Sequence, residues 1–237
     1  MGITFVRRFL IREATIAEFD DLREFYERNP DEHVMFRHDD AVKKAISDGI
    51  FLIAIDTSLE DGDRIFGASA VYTVNAQRDS GGTIVLKEAG GSNVKKDYRG
   101  FGVHKVFHWA RSLHKFILDR GGFEVYFGAI ICPNDPSEAN IAKAHFLPWD
   151  DPPSSLVTER QAYADPENGQ SVKFYRLPKE ALVEHAKQLL MQDKREILER
   201  RVNDTVEQVE THLMLETLRS YRRIVENLSQ GDLGALD

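Results

Sequence analysis

Residues 94–104 read Val-Lys-Lys-Asp-Tyr-Arg-Gly-Phe-Gly-Val-His and lie between a predicted strand and a predicted helix. Glycines at positions 100 and 102 let the backbone turn sharply and approach a ligand closely. The amides at the start of the next helix point outward with the positive end of the helix dipole. This stretch therefore predicts an anion site suited to a pyrophosphate.

The same stretch resembles the acyl-coenzyme A signature of the GNAT N-acetyltransferase superfamily, Q/R-x-x-G-x-G/A, which usually follows a strand ending in valine. Here it reads Asp-Tyr-Arg-Gly-Phe-Gly over residues 97–102. Asp97 stands where the family usually has Gln or Arg, and a carboxylate there repels a pyrophosphate. Lys95, Lys96 and Arg99 keep the local charge positive. The resemblance implies acetyl-CoA, or another acyl-CoA, as cofactor.

The order of predicted elements resembles the family over about residues 8–178. The apolar patterns predict strands at 5–14, 49–56, 64–74, 83–94, 123–131, 155–163 and 171–177, the last two as a hairpin. Helices are predicted up to about residue 28, at about 39–47, after the signature, and between 134 and 146. The resemblance implies an α/β (α+β) fold, with a mixed, largely antiparallel sheet flanked by helices.

After Pro178 the composition changes to a charged, helix-forming tail with almost no glycine before Gly231. Its apolar spacing predicts two helices, near 179–200 and 202–229. We therefore expect a GNAT-like acyl-CoA-binding domain at 1–178 and a helical C-terminal extension at 179–237. The apolar stripe of the second helix predicts that the extension either packs back on the domain or forms a homodimer contact.

In the family fold the fourth and fifth strands splay apart, and the pantetheine arm lies between them against exposed main chain of the fourth strand. By this comparison the cofactor contacts are on the fourth strand, in the signature loop and after the fifth strand. They are Asn93, Val94, Arg99, Gly100, Phe101, Gly102 and Val103, together with Asn134 or Asn140.

Glu88 is the candidate general base. It lies six residues before Val94 on the fourth predicted strand, where many members of the family have a catalytic glutamate. An attacking amine must lose a proton, and a positioned carboxylate, directly or through water, is the usual base. The alternative interpretation is an ordinary polar residue on a half-exposed strand, because residues 89–91 (Ala-Gly-Gly) can bulge the strand and redirect it.

The general acid has no single candidate. The family often uses a tyrosine on the helix after the fifth strand to protonate the leaving thiolate, but residues 134–146 contain none. His145 at the end of that helix is one substitute, and Tyr175 and Tyr126 are further options. A histidine at a helix end is more often a surface or capping residue, so the acid stays unassigned.

Cys132 is the single cysteine, which excludes an internal disulfide and indicates a reducing compartment. We therefore expect a cytoplasmic protein. Cys132 lies near the expected thioester end of the fifth strand, but a lone buried cysteine is more often a small core residue than a nucleophile. The histidines form no compact ligand pattern such as H-E-x-x-H, and we predict no metal.

The formal net charge of −8 argues against nucleic acid or an anionic membrane as a partner. The leading hypothesis is an N-acyltransferase that moves acetyl from acetyl-CoA to the primary amine of a small molecule or a protein, by direct attack in a ternary complex. The same enzyme with a longer acyl chain is one variant. The alternative is a non-catalytic acyl-CoA-binding module that assembles through its helical tail. Carboxylates in the expected acceptor loops, such as Asp31 and Asp150, favour a cationic amine.

Overall fold

The computed structural model describes residues 6–31, 34, 37–59, 64–118, 125–178, 195–202 and 205–213. Short 3-10 turns lie at Ile16–Glu18, Lys96–Tyr98 and Pro166–Asn168. The strands and helices follow in chain order: β1 (Val6–Glu13), α1 (Phe19–Arg28), α2 (Asp39–Ser47), β2 (Phe51–Asp56), β3 (Ile65–Gln77), β4 (Thr83–Val94), α3 (Val103–Leu118), β5 (Val125–Cys132), α4 (Asp135–Lys143), β6 (Leu147–Pro148), α5 (Ser154–Gln161), β7 (Ser171–Leu177), β8 (Arg195–Val202) and β9 (Thr205–Leu213).

The nine strands of the described ranges form one sheet in the order β6-β7-β5-β4-β3-β2-β1-β9-β8. The antiparallel pairs are β1–β2, β2–β3, β3–β4, β5–β7, β6–β7 and β8–β9. The pairs β4–β5 and β1–β9 are parallel. The predicted mixed, largely antiparallel sheet flanked by helices is confirmed.

The two faces of the sheet bury different helices, because successive strand residues point to opposite sides. Phe51, Ile53 and Ile55 of β2 belong to the cluster that packs α1 and α2. Leu52 and Ala54 belong to the cluster that packs α3. Helix α3 thus lies on the face opposite α1 and α2, and it follows β4 through the loop of residues 95–102.

Strands β4 and β5 pair over a short stretch and then diverge. The pairing runs from Leu86 opposite Val125 to Glu88 opposite Phe127. Beyond Glu88, residues 89–94 of β4 remain paired with β3, whereas β5 continues beside β7. The register between β3 and β4 shifts so that Ser69 alone faces residues 91 and 92, a bulge in the position that the Ala-Gly-Gly sequence predicted. The sheet therefore opens between β4 and β5.

The helical prediction for the tail is wrong over residues 195–202 and 205–213, which form the hairpin β8–β9. Leu198 and Val209 face each other across the hairpin and are both buried against the α3 side of the sheet. Strand β9 pairs with the edge of β1 over six positions, a partner that local spacing cannot reveal. The remaining parts of the helices predicted near 179–200 and 202–229, residues 179–194 and 214–229, lie outside the described residues. The hairpin extends the sheet of residues 6–177, and the boundary at 178 stays a prediction.

The strand predicted at 155–163 is also wrong, since Ser154–Gln161 form helix α5. Leu156 and Arg160, four residues apart, are both buried, which is helical spacing. The prolines at 152 and 153 immediately precede the helix, where proline is well tolerated. Strand β7 accordingly pairs with β5 and β6 rather than closing a hairpin with residues 155–163.

Candidate active site

The signature loop presents a run of open backbone amides. Gly100 and Gly102 have φ angles of 88° and 73°, a region that glycine enters without steric cost. The side chains of Phe101 and Val103 are buried in the core under α3 and anchor the loop. Within the described part of the chain, no backbone carbonyl accepts a hydrogen bond from the amides of residues 100–104. Consecutive free amides at a helix start form a concave site for an anion.

Strand β8 packs against the other side of this loop. Arg200 Nη1 donates to the carbonyl oxygens of Asp97, at 2.7 Å, and Arg99, at 3.3 Å. The Arg200 guanidinium carbon lies 4.3 Å from the ring centroid of Phe101. Because the C=O and N–H of a trans peptide unit point in opposite directions, the Gly100 amide points away from Arg200. The sequence offered no sign of this contact, since the tail was predicted to be helical.

Arg99 is held in place beside the loop. Its Nε donates to the carbonyl oxygen of Val94 at 3.0 Å, and its Nη2 lies 2.8 Å from Asp31 Oδ2. About half of the Arg99 side chain remains exposed, at 52%. The Val94 side chain is buried in the core under α3, so only the main chain of this residue takes part in the contacts around the loop. Asn93 is buried too: its Nδ2 donates to the carbonyl of Asn29, and its Oδ1 has no partner.

A cavity occupies the opening between β4 and β5. Its walls come from β4, β5, the first turns of α3, helix α4 and residues near α5, and Val34 and Arg37 close it from the side of α2. Asn134 and Asn140, both predicted to bind the cofactor arm, line this cavity. The Asn134 side chain also caps α4 by accepting a hydrogen bond from the Ser137 amide at 3.2 Å. His104 connects the cavity to the open amides of residues 100–104. It lines the cavity, and its own amide is the last of that run.

Glu88 lines the cavity but is the centre of a buried ion cluster. Its Oε1 accepts from Arg160 Nε at 3.1 Å, and its Oε2 accepts from Arg160 Nη2 and Arg37 Nη2, each at 2.7 Å. The Glu88 residue is 3% exposed. Both oxygens of the Glu88 carboxylate are therefore engaged by guanidinium groups, so the side chain is held in ion pairs rather than left without a partner in the cavity. Neither arginine was visible as a partner in the sequence, because they lie 51 and 72 positions away.

Three further residues on α3 belong to the cavity and were not predicted as site residues: His104, His108 and Arg111. Arg111 Nη1 donates to Ser92 Oγ, and Nη2 donates to His108 Nδ1, both at 2.9 Å. Burial, followed by the nearby Arg111 and Arg99 guanidiniums, lowers the pKa of His104 to about 4, so this imidazole is neutral at pH 7. The helical spacing of these residues was the available signal, but it equally fits a packed face.

The candidate acids lie apart from the cavity. His145 is exposed, follows α4 with a φ of 61°, and is not among the lining residues. Tyr175 donates from its hydroxyl to Glu138 Oε2 at 3.0 Å, and burial and this carboxylate raise its pKa to about 12. Burial also raises the pKa of Tyr126 to about 12. Tyr163, which follows α5, is the tyrosine that lines the cavity.

Cys132 is buried at the end of β5, and its Sγ lies 3.1 Å from Glu138 Oε1. Burial and this carboxylate raise the pKa of the Cys132 thiol to about 11, so the thiol stays protonated at neutral pH. Over the described ranges, no three His, Cys, Asp or Glu side chains are grouped as metal ligands. None of the helices described is both long and apolar enough to cross a membrane.

No family model matches the sequence, and no curated protein sequence matches it. Solved structures do resemble the fold. A chain of the NatC complex bound to Gag peptide and CoA aligns with a TM-score of 0.53 and 12% identity, over 72% of this chain and 98% of that one. Arabidopsis thaliana Naa50, in complex with the bisubstrate analogue CoA-Ac-MVNAL, aligns with a TM-score of 0.47 and 15% identity, over 72% and 98%. A GNAT-family acetyltransferase from Streptococcus pneumoniae aligns with a TM-score of 0.46 and 14% identity, over 72% of this chain and 99% of that one. The alignment with the NatC chain shows that the two chains share a fold.

Proposed function

We propose that this chain is an N-acyltransferase that transfers acetyl from acetyl-CoA to a primary amine on a small molecule or a protein, within a ternary complex. One observation supports this most directly: the open amides of residues 100–104 adjoin the cavity between β4 and β5 through His104. An anion site and an elongated opening in the sheet thereby form one continuous surface. That is the shape required by a ligand with phosphates at one end and a reactive thioester at the other.

The residues present fit such a ligand. The amides of residues 100–104, with Lys95, Lys96 and Arg99 nearby in sequence, suit a pyrophosphate. Residues 89–94 of β4 do not pair with β5, and main chain of this kind can hydrogen-bond the amides of a pantetheine arm. Asn134 and Asn140 lie across the cavity as further polar contacts. Bound acetyl-CoA would supply the acyl thioester that the amine attacks.

In this proposal Glu88 positions the acceptor. Its Oε1 accepts one hydrogen bond, from Arg160, whereas a carboxylate oxygen has two lone-pair sites. The second site can accept an N–H of the acceptor amine, while the amine's proton leaves to water in the cavity. Tyr163 is the hydroxyl that we propose as proton donor, in preference to His145 and Tyr175, because it lines the cavity.

A non-catalytic acyl-CoA-binding module is the second candidate. The observation that favours it is the state of Glu88, which is the one carboxylate among the described residues lining the cavity and is held by two arginines. A site without an unpaired base binds a thioester without promoting attack on it. The two candidates share the cofactor site and differ in turnover.

The experiment is calorimetric titration of acetyl-CoA into the wild type, Gly102→Glu and Gly169→Glu. Gly169 is a matched control because its φ is also 73° and a Cβ there meets no atom within 4 Å. We expect saturable binding to the wild type and to Gly169→Glu, and its loss in Gly102→Glu, where the new side chain meets Leu198 of β8 at a φ that side chains rarely adopt and so displaces the loop. Folding of each variant is checked by circular dichroism.

Turnover is then measured as thiol release from acetyl-CoA with a panel of amines. Release that depends on an amine supports the transferase. Binding without any amine-dependent release supports the binding module. A folded wild type that does not bind acetyl-CoA contradicts both candidates.

A further inference from the structure

The cavity between β4 and β5 contains one cation that the described carboxylates do not balance. Three arginines line it, at positions 37, 111 and 160. Arg37 and Arg160 share Glu88, and Arg160 also contacts Glu159 through Nη1 at 2.5 Å. These two arginines and two glutamates are neutral together. Arg111 is the cation that remains.

The contacts of Arg111 are all with uncharged oxygen and with imidazole. Nη1 donates to the Ser92 hydroxyl and Nη2 to His108 Nδ1, while Nε has no partner. The residue is 2% exposed, so bulk solvent screens its charge little. A buried charge without a counter-ion is costly, and a buried guanidinium normally has a carboxylate or phosphate beside it.

The nearby phenols are not the missing anions. Tyr26, Tyr72 and Tyr126 lie close enough to interact electrostatically with Arg111. Burial raises the pKa of all three hydroxyls, that of Tyr126 to about 12, and keeps them protonated at neutral pH. Within the described part of the chain, no carboxylate forms an ion pair with Arg111.

We propose that Arg111 binds a carboxylate carried by one of the two reactants that meet in this cavity. The identity of the reactants rests on the proposed function: the carboxylate belongs either to the far end of a dicarboxylic acyl chain or to an amino-acid-type acceptor. The open Nε and the second N–H of a neighbouring Nη form a planar fork that matches the two oxygens of a carboxylate.

The position of Arg111 separates this site from the pyrophosphate loop. Arg111 lies seven residues after His104 on α3, which is about 10 Å along the helix axis at 1.5 Å per residue. Its partner Ser92 lies on the diverging part of β4. Glycines at 90, 91 and 128 line the same cavity.

The first arm of the test varies the donor. Affinities for succinyl-CoA and butyryl-CoA, which share a four-carbon acyl chain and differ in the terminal carboxylate, are measured by calorimetry for the wild type and Arg111→Met. If the donor carries the carboxylate, the wild type prefers succinyl-CoA by about tenfold or more, as expected for a charge-assisted hydrogen bond. Arg111→Met removes the preference for succinyl-CoA over butyryl-CoA.

The second arm varies the acceptor in protein saturated with CoA, using β-alanine and propylamine as the matched pair. If the acceptor carries the carboxylate, the wild type prefers β-alanine by about tenfold and Arg111→Met does not. A preference in one arm alone assigns the carboxylate to that reactant. Equal binding within both pairs by the folded wild type overturns the inference, and so does a preference that Arg111→Met retains.

Two further measurements keep the inference testable if Arg111→Met does not fold or if no CoA ester binds. Arg111→Lys keeps the charge without the planar fork and is expected to reduce the preference, as is Ser92→Ala, which removes the Nη1 partner. If the wild type binds no CoA ester, the proposed function fails. In that case glutarate and glutaramide are compared for how far each raises the thermal unfolding temperature of the protein. Selective stabilisation by glutarate that is lost in the Arg111 variants supports the inference alone, and equal effects overturn it.

Discussion

Arg200 Nη1 donates a 2.7 Å hydrogen bond to the carbonyl oxygen of Asp97, across 103 positions of the sequence. The same atom reaches the carbonyl of Arg99, and Leu198 of the same strand lies 3.5 Å from where a Cβ on Gly102 would be. Strand β8 thus holds two peptide units of the loop, and the second of them carries the Gly100 amide on its opposite edge. The C-terminal hairpin is a structural support of the proposed cofactor site.

Arg200→Ala is expected to lower the affinity for acetyl-CoA by about tenfold, because the loop loses the donors that orient its peptide planes. We expect a loss of about 1–3 kcal/mol in the free energy of unfolding as well, since two carbonyl contacts to a charged donor disappear. Calorimetry and denaturant unfolding measure the two effects. Arg201→Ala, at the exposed neighbour on β8, is the control. Equal acetyl-CoA affinity in the two variants would remove the supporting role of β8.

Leu198→Ala is expected to lower the free energy of unfolding by about 2–5 kcal/mol, because Leu198 is 7% exposed and packs with Val209 under α3. Ile197→Ala is the matched control: the side chain is also branched and aliphatic but 64% exposed, so its loss costs less than about 0.5 kcal/mol. Urea unfolding of both variants tests the strand assignment. A larger loss for Ile197→Ala than for Leu198→Ala contradicts the register of β8.

The sequence predicted the elements whose signals are local. The glycines at 100 and 102 and the elements from β1 to β5 follow from turn chemistry and apolar spacing that neighbouring residues carry. The hairpin β8–β9 could not be predicted in this way, because its charged residues suit a helix equally well. Pairing with the edge of β1 decides between helix and strand. The same holds for Glu88, whose partners Arg37 and Arg160 come from distant segments. Sequence spacing predicted local elements, but it could not predict contacts between segments that only tertiary packing brings together.

The Glu88–Arg160 pair is expected to show strong coupling in a double-mutant cycle. Glu88→Gln and Arg160→Gln should each lower the free energy of unfolding by about 3–5 kcal/mol, because each leaves the cluster of Arg37, Glu88, Glu159 and Arg160 with one unbalanced charge. The double variant should cost about 2 kcal/mol less than the sum of the single variants. Glu159→Gln is the control, since half of that side chain is exposed. If Glu88→Gln keeps wild-type stability, the ion cluster does not stabilise the fold and the base assignment regains support.

Glu138 is expected to make stability depend on pH in the acidic range. Hydrogen bonds from Lys173, Cys132 and Tyr175 lower the pKa of its carboxyl to about 2. In the unfolded chain the pKa of a glutamate is about 4.3, so the folded protein stabilises the ionised form of Glu138 relative to the unfolded chain. The resulting stabilisation is fully present above the unfolded pKa and is lost as the pH falls towards the folded pKa.

The measurement compares denaturant unfolding of the wild type and Glu138→Gln over this acidic window. The wild type should be the more stable at about pH 6, and its advantage should shrink between about pH 5 and pH 2 as the carboxylate becomes protonated. Glu167→Gln, which removes an exposed carboxylate from the turn before β7, controls for the general effect of losing one negative charge. A stability difference between wild type and Glu138→Gln that stays constant across the window would mean that the three hydrogen bonds do not favour the ionised carboxylate.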